Sequence, residues 1–168
     1  MPISFFSRKP KETPPGPVAA ATQPPEVSYD PDLVAALTRQ HRDMALLLDK
    51  AKNAVQAQRY EDVKAMLDRL RTEIAVHMRR ETDELHAYLI ARIKSADRLA
   101  VLKDMHAGAL RTGRAVEGFL KHYGGYPVNE RNAGIFYKEI DGVAAEFDKW
   151  IEQEESAVYS LYKPPETY

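Results

Sequence analysis

Two side chains four residues apart, His77 and Glu81, lie inside the apolar stripe of a predicted helix. A helix turns about 100° per residue, so positions four apart stand one above the other on the same face. The apolar residues that recur on that face are Val63, Leu67, Leu70, Ile74, Leu85 and Tyr88. A polar pair inside such a stripe is costly unless it has a partner. The two side chains are therefore expected either to pair with each other and with a neighbouring helix, or to bind a metal ion.

Three of the five histidines lie inside the apolar stripes of their predicted helices: His41 on the first, His77 on the second and His106 on the third. Measured in residues from the predicted turns, His41 stands level with His77, and His106 stands level with Glu81. Imidazole and carboxylate groups are ligands of divalent transition metals, so their convergence predicts a metal site in mid-bundle. Two histidines lie about half a turn from their stripes and are predicted to point away from the site: His86 and His122.

Composition narrows the chemistry further. The 168 residues include 24 basic and 25 acidic side chains, and a net charge of -1 gives no general attraction to nucleic acid or acidic membranes. There are no cysteines, which excludes disulfides, thiolate metal sites and cysteine catalysis. No apolar run approaches the roughly 18 residues of a membrane span, and no secretory signal is evident. We therefore expect a cytoplasmic protein.

The rest of the chain predicts an all-α, antiparallel up-and-down four-helix bundle over residues 29–163. Seven of the 11 prolines lie in residues 1–28, which predicts a disordered N-terminal tail. Asp30 and Pro31 are typical of a helix start. Four amphipathic segments follow, at about 31–58, 60–93, 96–122 and 130–162, with a short C-terminal tail at 164–168.

The fourth segment adds one further candidate ligand. Its stripe contains Trp150 and, four residues later, Glu154, the one carboxylate on that face. Glu152 and Glu155 are predicted to face solvent. Glu154 is thus the carboxylate that the fourth helix could contribute to a site in the middle of the bundle.

A helix-one histidine, His77-x-x-x-Glu81 and Met105-His106 together resemble the hemerythrin-like (HHE cation-binding) family of four-helix bundles. Members bind a non-haem di-iron centre through five histidines and two carboxylates, and serve in oxygen binding, oxygen or redox sensing, or iron handling. The resemblance covers residues 31 to 162. It implies metal ligation by His41, His77, Glu81, His106 and Glu154.

The chain departs from the family pattern at two ligand positions. The third helix of the family supplies two histidines four apart, but the neighbours of His106 at that spacing are Leu102 and Leu110. Trp150 stands where the family has a fourth-helix histidine. We expect Trp150 and Leu110 to fill that half of the site, so that one ion, Fe²⁺, Zn²⁺ or Mn²⁺, takes the place of two.

Two functions are consistent with these features. One is a metal-binding protein that senses oxygen or redox state, or handles metal, and is not an enzyme. The other is a metal-free bundle with a polar core that binds a protein partner, similar in architecture to the bacterial regulator of sigma D. Such a partner would dock on an exposed aromatic surface, for which the candidates are Tyr126, Tyr137, Tyr159 and Tyr162.

Overall fold

The computed structural model describes residues 27–168. Its helices are α1 (Leu33–Gln56), α2 (Tyr60–Arg80), a π-helical turn (Glu81–His86), α3 (Ala87–Arg92), α4 (Ala96–Gly125) and α5 (Ala133–Ala157). Two short 3₁₀ turns follow, at Tyr159–Leu161 and Pro165–Thr167. The predicted tail at 1–28 lies outside the described residues except at its end, where Val27 packs against the bundle.

Helix α1 starts and ends close to the predicted positions. The Asp30 carboxylate accepts a hydrogen bond from the Asp32 amide at 2.9 Å, and the helix begins one residue later, at Leu33. At the other end Gln58 adopts a left-handed backbone, with a φ of 56°. The Arg59 amide then donates to the Ala54 carbonyl at 2.8 Å, which closes the turn towards α2.

Segments α2, the π-helical turn and α3 form one continuous rod, since the residues at both junctions keep helical backbone angles. The rod occupies the place of the predicted second helix. Its π-helical turn was not predicted. The backbone hydrogen bonds in such a turn span five residues instead of four, so the face that each later side chain presents is rotated.

The last two helices are bounded by the expected stop and start residues. Ser95 caps α4 by accepting a hydrogen bond from the Arg98 amide at 3.5 Å. Helix α4 ends at Gly125, before the predicted Pro127 break. Helix α5 is shorter than predicted, since it begins at Ala133 and gives way to the 3₁₀ turn at Tyr159.

The four rods form the predicted all-α four-helix bundle, and the described part of the chain contains no strand. Helix α1 packs against α2 and α5, and α4 packs against the same two helices, so consecutive rods are neighbours around the bundle. None of the described helices is long and apolar enough to cross a membrane.

The bundle interior contains two apolar clusters with a polar layer between them. The larger cluster lies nearer the α1–α2 turn and includes Met44, Leu70, Ala109, Phe147 and Trp150. The smaller cluster lies at the other end and includes Leu37, Leu85, Leu102, Tyr88 and Val158. On each rod a histidine or glutamate separates the two clusters: His41, His77 with Glu81, His106, and Glu154.

Candidate metal centre

His41 on α1 and His77 on α2 face each other across the bundle core. Their Nε2 atoms are 3.1 Å apart, and both side chains are completely buried. His41 Nδ1 lies 2.9 Å from the Glu155 carboxylate, and His77 Nδ1 lies 3.2 Å from Gln40 Oε1. Both of these oxygens can only accept, so each Nδ1 carries the proton and donates it. Two Nε2 lone pairs are therefore left pointing towards a common place.

This arrangement of the two imidazoles is typical of metal ligands. Two facing lone pairs repel unless a cation or a hydrogen-bond donor lies near them. Histidines that bind metals usually donate the other ring N–H to a carboxylate or carbonyl, which fixes the tautomer and the ring orientation. Glu155 and Gln40 have that relationship to His41 and His77.

Glu154 on α5 completes a first group of three candidate ligands with these histidines. Its Oε2 lies 3.3 Å from His41 Nε2 but makes no hydrogen bond within the described residues. One ligand atom from each of His41, His77 and Glu154 lies within 4.8 Å of the other two. All three side chains are buried, so the first group is a compact set of two imidazoles and one carboxylate.

A second group shares Glu154 and adds Glu81 and His86 from the π-helical turn. Ligand atoms of these three buried residues also lie within 4.8 Å of one another. Both Glu81 oxygens lack a hydrogen-bond donor, and both His86 ring nitrogens lack a partner, in the part of the chain that the structure describes. Buried polar atoms of folded proteins are nearly always paired, so this many unpaired ones fit a site for a cation.

The electrostatics of the two groups follow mainly from burial. Burial lowers the pKa of His41 and, with the nearby His41 imidazole, lowers that of His77 to about 3. Burial and the neighbouring His106 lower the pKa of His86 to about 4. The histidines are therefore neutral at neutral pH, which is the form that binds metals.

The two carboxyl groups respond in the opposite direction. Burial, reinforced by repulsion from Glu154 and by the hydrogen bond that protonated Glu81 donates to it, raises the pKa of Glu81 to about 9. Burial also raises the pKa of Glu154, to about 7. In the absence of a cation Glu81 is therefore protonated at neutral pH, and a bound cation would replace that proton.

The structure brings together four of the five ligands expected from the sequence, namely His41, His77, Glu81 and Glu154. The fifth, His106, is only partly buried and belongs to neither group. Its ring packs edge to face against His86, with centroids 4.8 Å apart. His106 therefore lies beside the second group, and its role as a ligand stays a prediction.

The sequence-based placement of His86 was wrong. Uninterrupted α-helical geometry put it half a turn from the core, but the π-helical turn brings it inside, where it is 5% exposed. Glu155 was predicted to be solvated, yet it is 35% exposed and its carboxylate lies 2.9 Å from His41 Nδ1. The expected exposure of His122 is confirmed.

The two side chains expected to fill the missing half of the site behave differently. Trp150 is buried, with its ring centroid 5.2 Å from that of His41 and 5.9 Å from that of His77. Leu110, in contrast, is 42% exposed, and Ala109 occupies the core position instead. The space that Leu110 was expected to fill is therefore not closed by that residue.

The aromatic surface expected for a protein partner does not form from the four tyrosines. Tyr159 and Tyr162 are buried in the smaller apolar cluster, and Tyr137 is partly buried. Tyr126 is exposed and packs beside His122. The two buried rings pack inside the bundle, so they are not available to a protein partner.

Comparison with known proteins agrees with this arrangement. A family model described as the hemerythrin HHE cation binding domain matches residues 32–162, which is most of the chain and includes all the helices described above. No curated protein and no solved structure gives a match. The chain therefore belongs to the hemerythrin HHE cation-binding family.

Proposed function

We propose that this protein binds non-haem iron through the two groups and uses it in oxygen or redox sensing, or in iron handling, without turning over a substrate. The observation that carries the proposal is the pair of facing Nε2 lone pairs on His41 and His77, with Glu154 beside them. Family membership supports metal binding in general.

The ligand types favour iron, with zinc and manganese as competitors. Imidazole suits iron, zinc and copper, and carboxylate suits harder ions such as iron and manganese. The chain has no cysteine, so no thiolate competes for the ion. Because Glu154 belongs to both groups, the cluster has the capacity for two neighbouring ions that share this carboxylate, in place of the single ion expected from the sequence.

Each residue of the cluster has a definite task in this proposal. His41 and His77 would bind through Nε2, while Glu155 and Gln40 keep their Nδ1 protons in place. Glu81 and His86 would bind from the π-helical turn. The two apolar clusters exclude water from both ends of the layer. When bound, iron would supply a reversible change of oxidation state and an open position for a small ligand.

The proposal is tested by measuring metal content. Protein purified without an affinity tag is reconstituted anaerobically with Fe²⁺, desalted, and assayed for iron per chain by elemental analysis. We expect the wild type to retain iron and His77→Ala to lose most of it. His122→Ala, which changes an exposed histidine on α4, should retain the wild-type amount. Wild-type protein that retains no iron, or equal retention by both variants, would refute the proposal.

A further inference from the structure

Tyr159 lies directly against the first group of ligands. It starts the 3₁₀ turn that follows α5, and its side chain is only 6% exposed. The phenol ring stacks on the imidazole of His41, with an interplanar angle of 5° and centroids 5.7 Å apart. Tyr159 follows Glu154 by five residues, beyond the end of α5 at Ala157.

The Tyr159 hydroxyl converges on the same atom as the other members of the group. Its Oη lies 3.4 Å from His41 Nε2, the nitrogen that lies 3.1 Å from His77 Nε2. Glu154 Oε2 lies 3.3 Å from that same nitrogen. One ring nitrogen, one carboxylate oxygen and one phenol oxygen, from three different side chains, therefore lie within 3.4 Å of His41 Nε2.

Trp150 cannot supply the fourth ligand of this group. The indole N–H is a donor only and has no lone pair available for a metal. Trp150 Nε1 is also buried without a partner among the described residues, so it does not hold any of the four atoms in place. Tyr159 does offer an oxygen, since its Oη lies 3.4 Å from the Nε2 atom of His41.

From this geometry we propose that Tyr159 is a further metal ligand, which binds as a phenolate to the ion held by His41, His77 and Glu154. The inference rests on the proposed function and adds a ligand to that site. On binding, the phenol O–H bond breaks, its proton passes to solvent, and a bond from the phenolate oxygen to the metal replaces it. Oxygen anions are hard ligands, so the resulting set of two imidazoles, a carboxylate and a phenolate favours iron(III).

Phenolate ligation has a spectroscopic signature that binding by histidine and carboxylate lacks. Iron(III) bound to a phenolate shows a visible charge-transfer band, and excitation into that band enhances the tyrosine ring modes in the resonance Raman spectrum. The experiment uses the full chain, loaded anaerobically with Fe²⁺ and then oxidised with ferricyanide. Bound iron is measured on the same samples, so that the band is expressed per iron.

We expect the wild type to show the band, and its Raman modes to shift when the protein contains ring-deuterated tyrosine. Tyr159→Phe should remove the band. The matched control is Tyr162→Phe, which changes another buried tyrosine three residues away, whose hydroxyl instead accepts from the Asp30 amide at 2.8 Å. This control should keep the band.

Iron-loaded wild type without deuterium-sensitive tyrosine modes would overturn the inference while leaving the proposed function intact. A band that persists at full strength in Tyr159→Phe would do the same. Wild type that binds no iron at all would overturn both, and the iron assay distinguishes that result from the other two. The isotope shift is measured on the wild type, so the test of phenolate ligation does not depend on the folding of any variant.

Discussion

Glu81 and His86 lie five residues apart and contribute to the same group of buried candidate ligands. In an α-helix five residues turn through about 500°, which would leave the two side chains about 140° apart. The π-helical turn from Glu81 to His86 has hydrogen bonds that span five residues, so positions five apart are brought onto one face. Such turns occur frequently at functional sites, and here the turn itself builds the second group.

This relationship predicts that His86 is needed for full metal loading. His86→Ala removes the only imidazole of the second group and should lower the iron-to-protein ratio to that of the first group alone. The measurement is elemental analysis after anaerobic loading. His122→Ala is the control, because His122 is exposed near the end of α4. If His86→Ala holds as much iron as the control, the second group does not bind metal.

A second prediction concerns Glu155, which orients a ligand without being one. Glu155→Gln replaces the charged acceptor of the His41 Nδ1 proton by a weaker, neutral one. Loss of such an outer partner commonly lowers metal affinity by about 10- to 100-fold, and we expect a change of that size. Competition with a chromophoric chelator measures it. Glu152→Gln changes an exposed carboxylate on the same helix and should bind like the wild type; equal affinities for the two variants would remove Glu155 from the account.

Much of this architecture was predictable from periodicity. The spacing of apolar residues predicted the four rods and placed His41, His77, Glu81 and Glu154 in the core, because each lies at a step of three or four from buried neighbours. Agreement in height also held for His41 and His77, whose Nε2 atoms are 3.1 Å apart. These features follow from the regular geometry of a helix, so the spacing of residues in the sequence is enough to predict them.

The errors have one main physical cause. A period of 3.6 residues was applied through the π-helical turn, where it does not hold, and His86 was therefore placed on the wrong face. No proline or glycine marks that turn, although five of its six residues are polar. Glu155 was missed because its role depends on the direction of the His41 ring, a tertiary detail that helical spacing does not encode.

The stability of the metal-free protein should depend on pH in both directions. Burial lowers the pKa of His77 from 6.5 to about 3 and that of His86 from 6.5 to about 4. The unfolded chain then binds more protons than the folded one below about pH 6.5, so stability falls as the pH drops. The raised pKa of Glu81, about 9 against 4.5 when unfolded, has the opposite sign, and stability falls as the pH rises through that window.

These opposing effects give the highest free energy of unfolding at about pH 6. On either side this free energy changes by about 1.4 kcal/mol per pH unit for each proton by which the folded and unfolded chains differ. Urea unfolding of chelator-treated protein between pH 5 and 9 checks this. Glu81→Gln stays neutral throughout and should remove most of the decline between pH 7 and 9, leaving the smaller part that Glu154 contributes near pH 7. A wild-type stability that rises steadily to pH 9 would show that Glu81 is not held protonated in the core.

Metal binding should stabilise the fold, because the ligands converge only in the folded chain. Free Fe²⁺ at 100 times its dissociation constant should add about 2.7 kcal/mol to the free energy of unfolding. Anaerobic urea unfolding with and without Fe²⁺ measures this difference. His77→Ala should lose most of the increment, and His122→Ala should keep it. An equal increment in both variants would place the stabilising ion elsewhere on the protein.

The proposed function places iron between His41, His77 and Glu154, with Glu81 and His86 beside it. Anomalous X-ray diffraction at the iron absorption edge, on crystals of the iron-loaded protein, tests this most directly. We expect anomalous density in the polar layer, at roughly 2.0–2.2 Å from the Nε2 atoms of His41 and His77. Iron-loaded crystals whose anomalous density lies only at surface residues such as His122, with none between the two imidazoles, would contradict it.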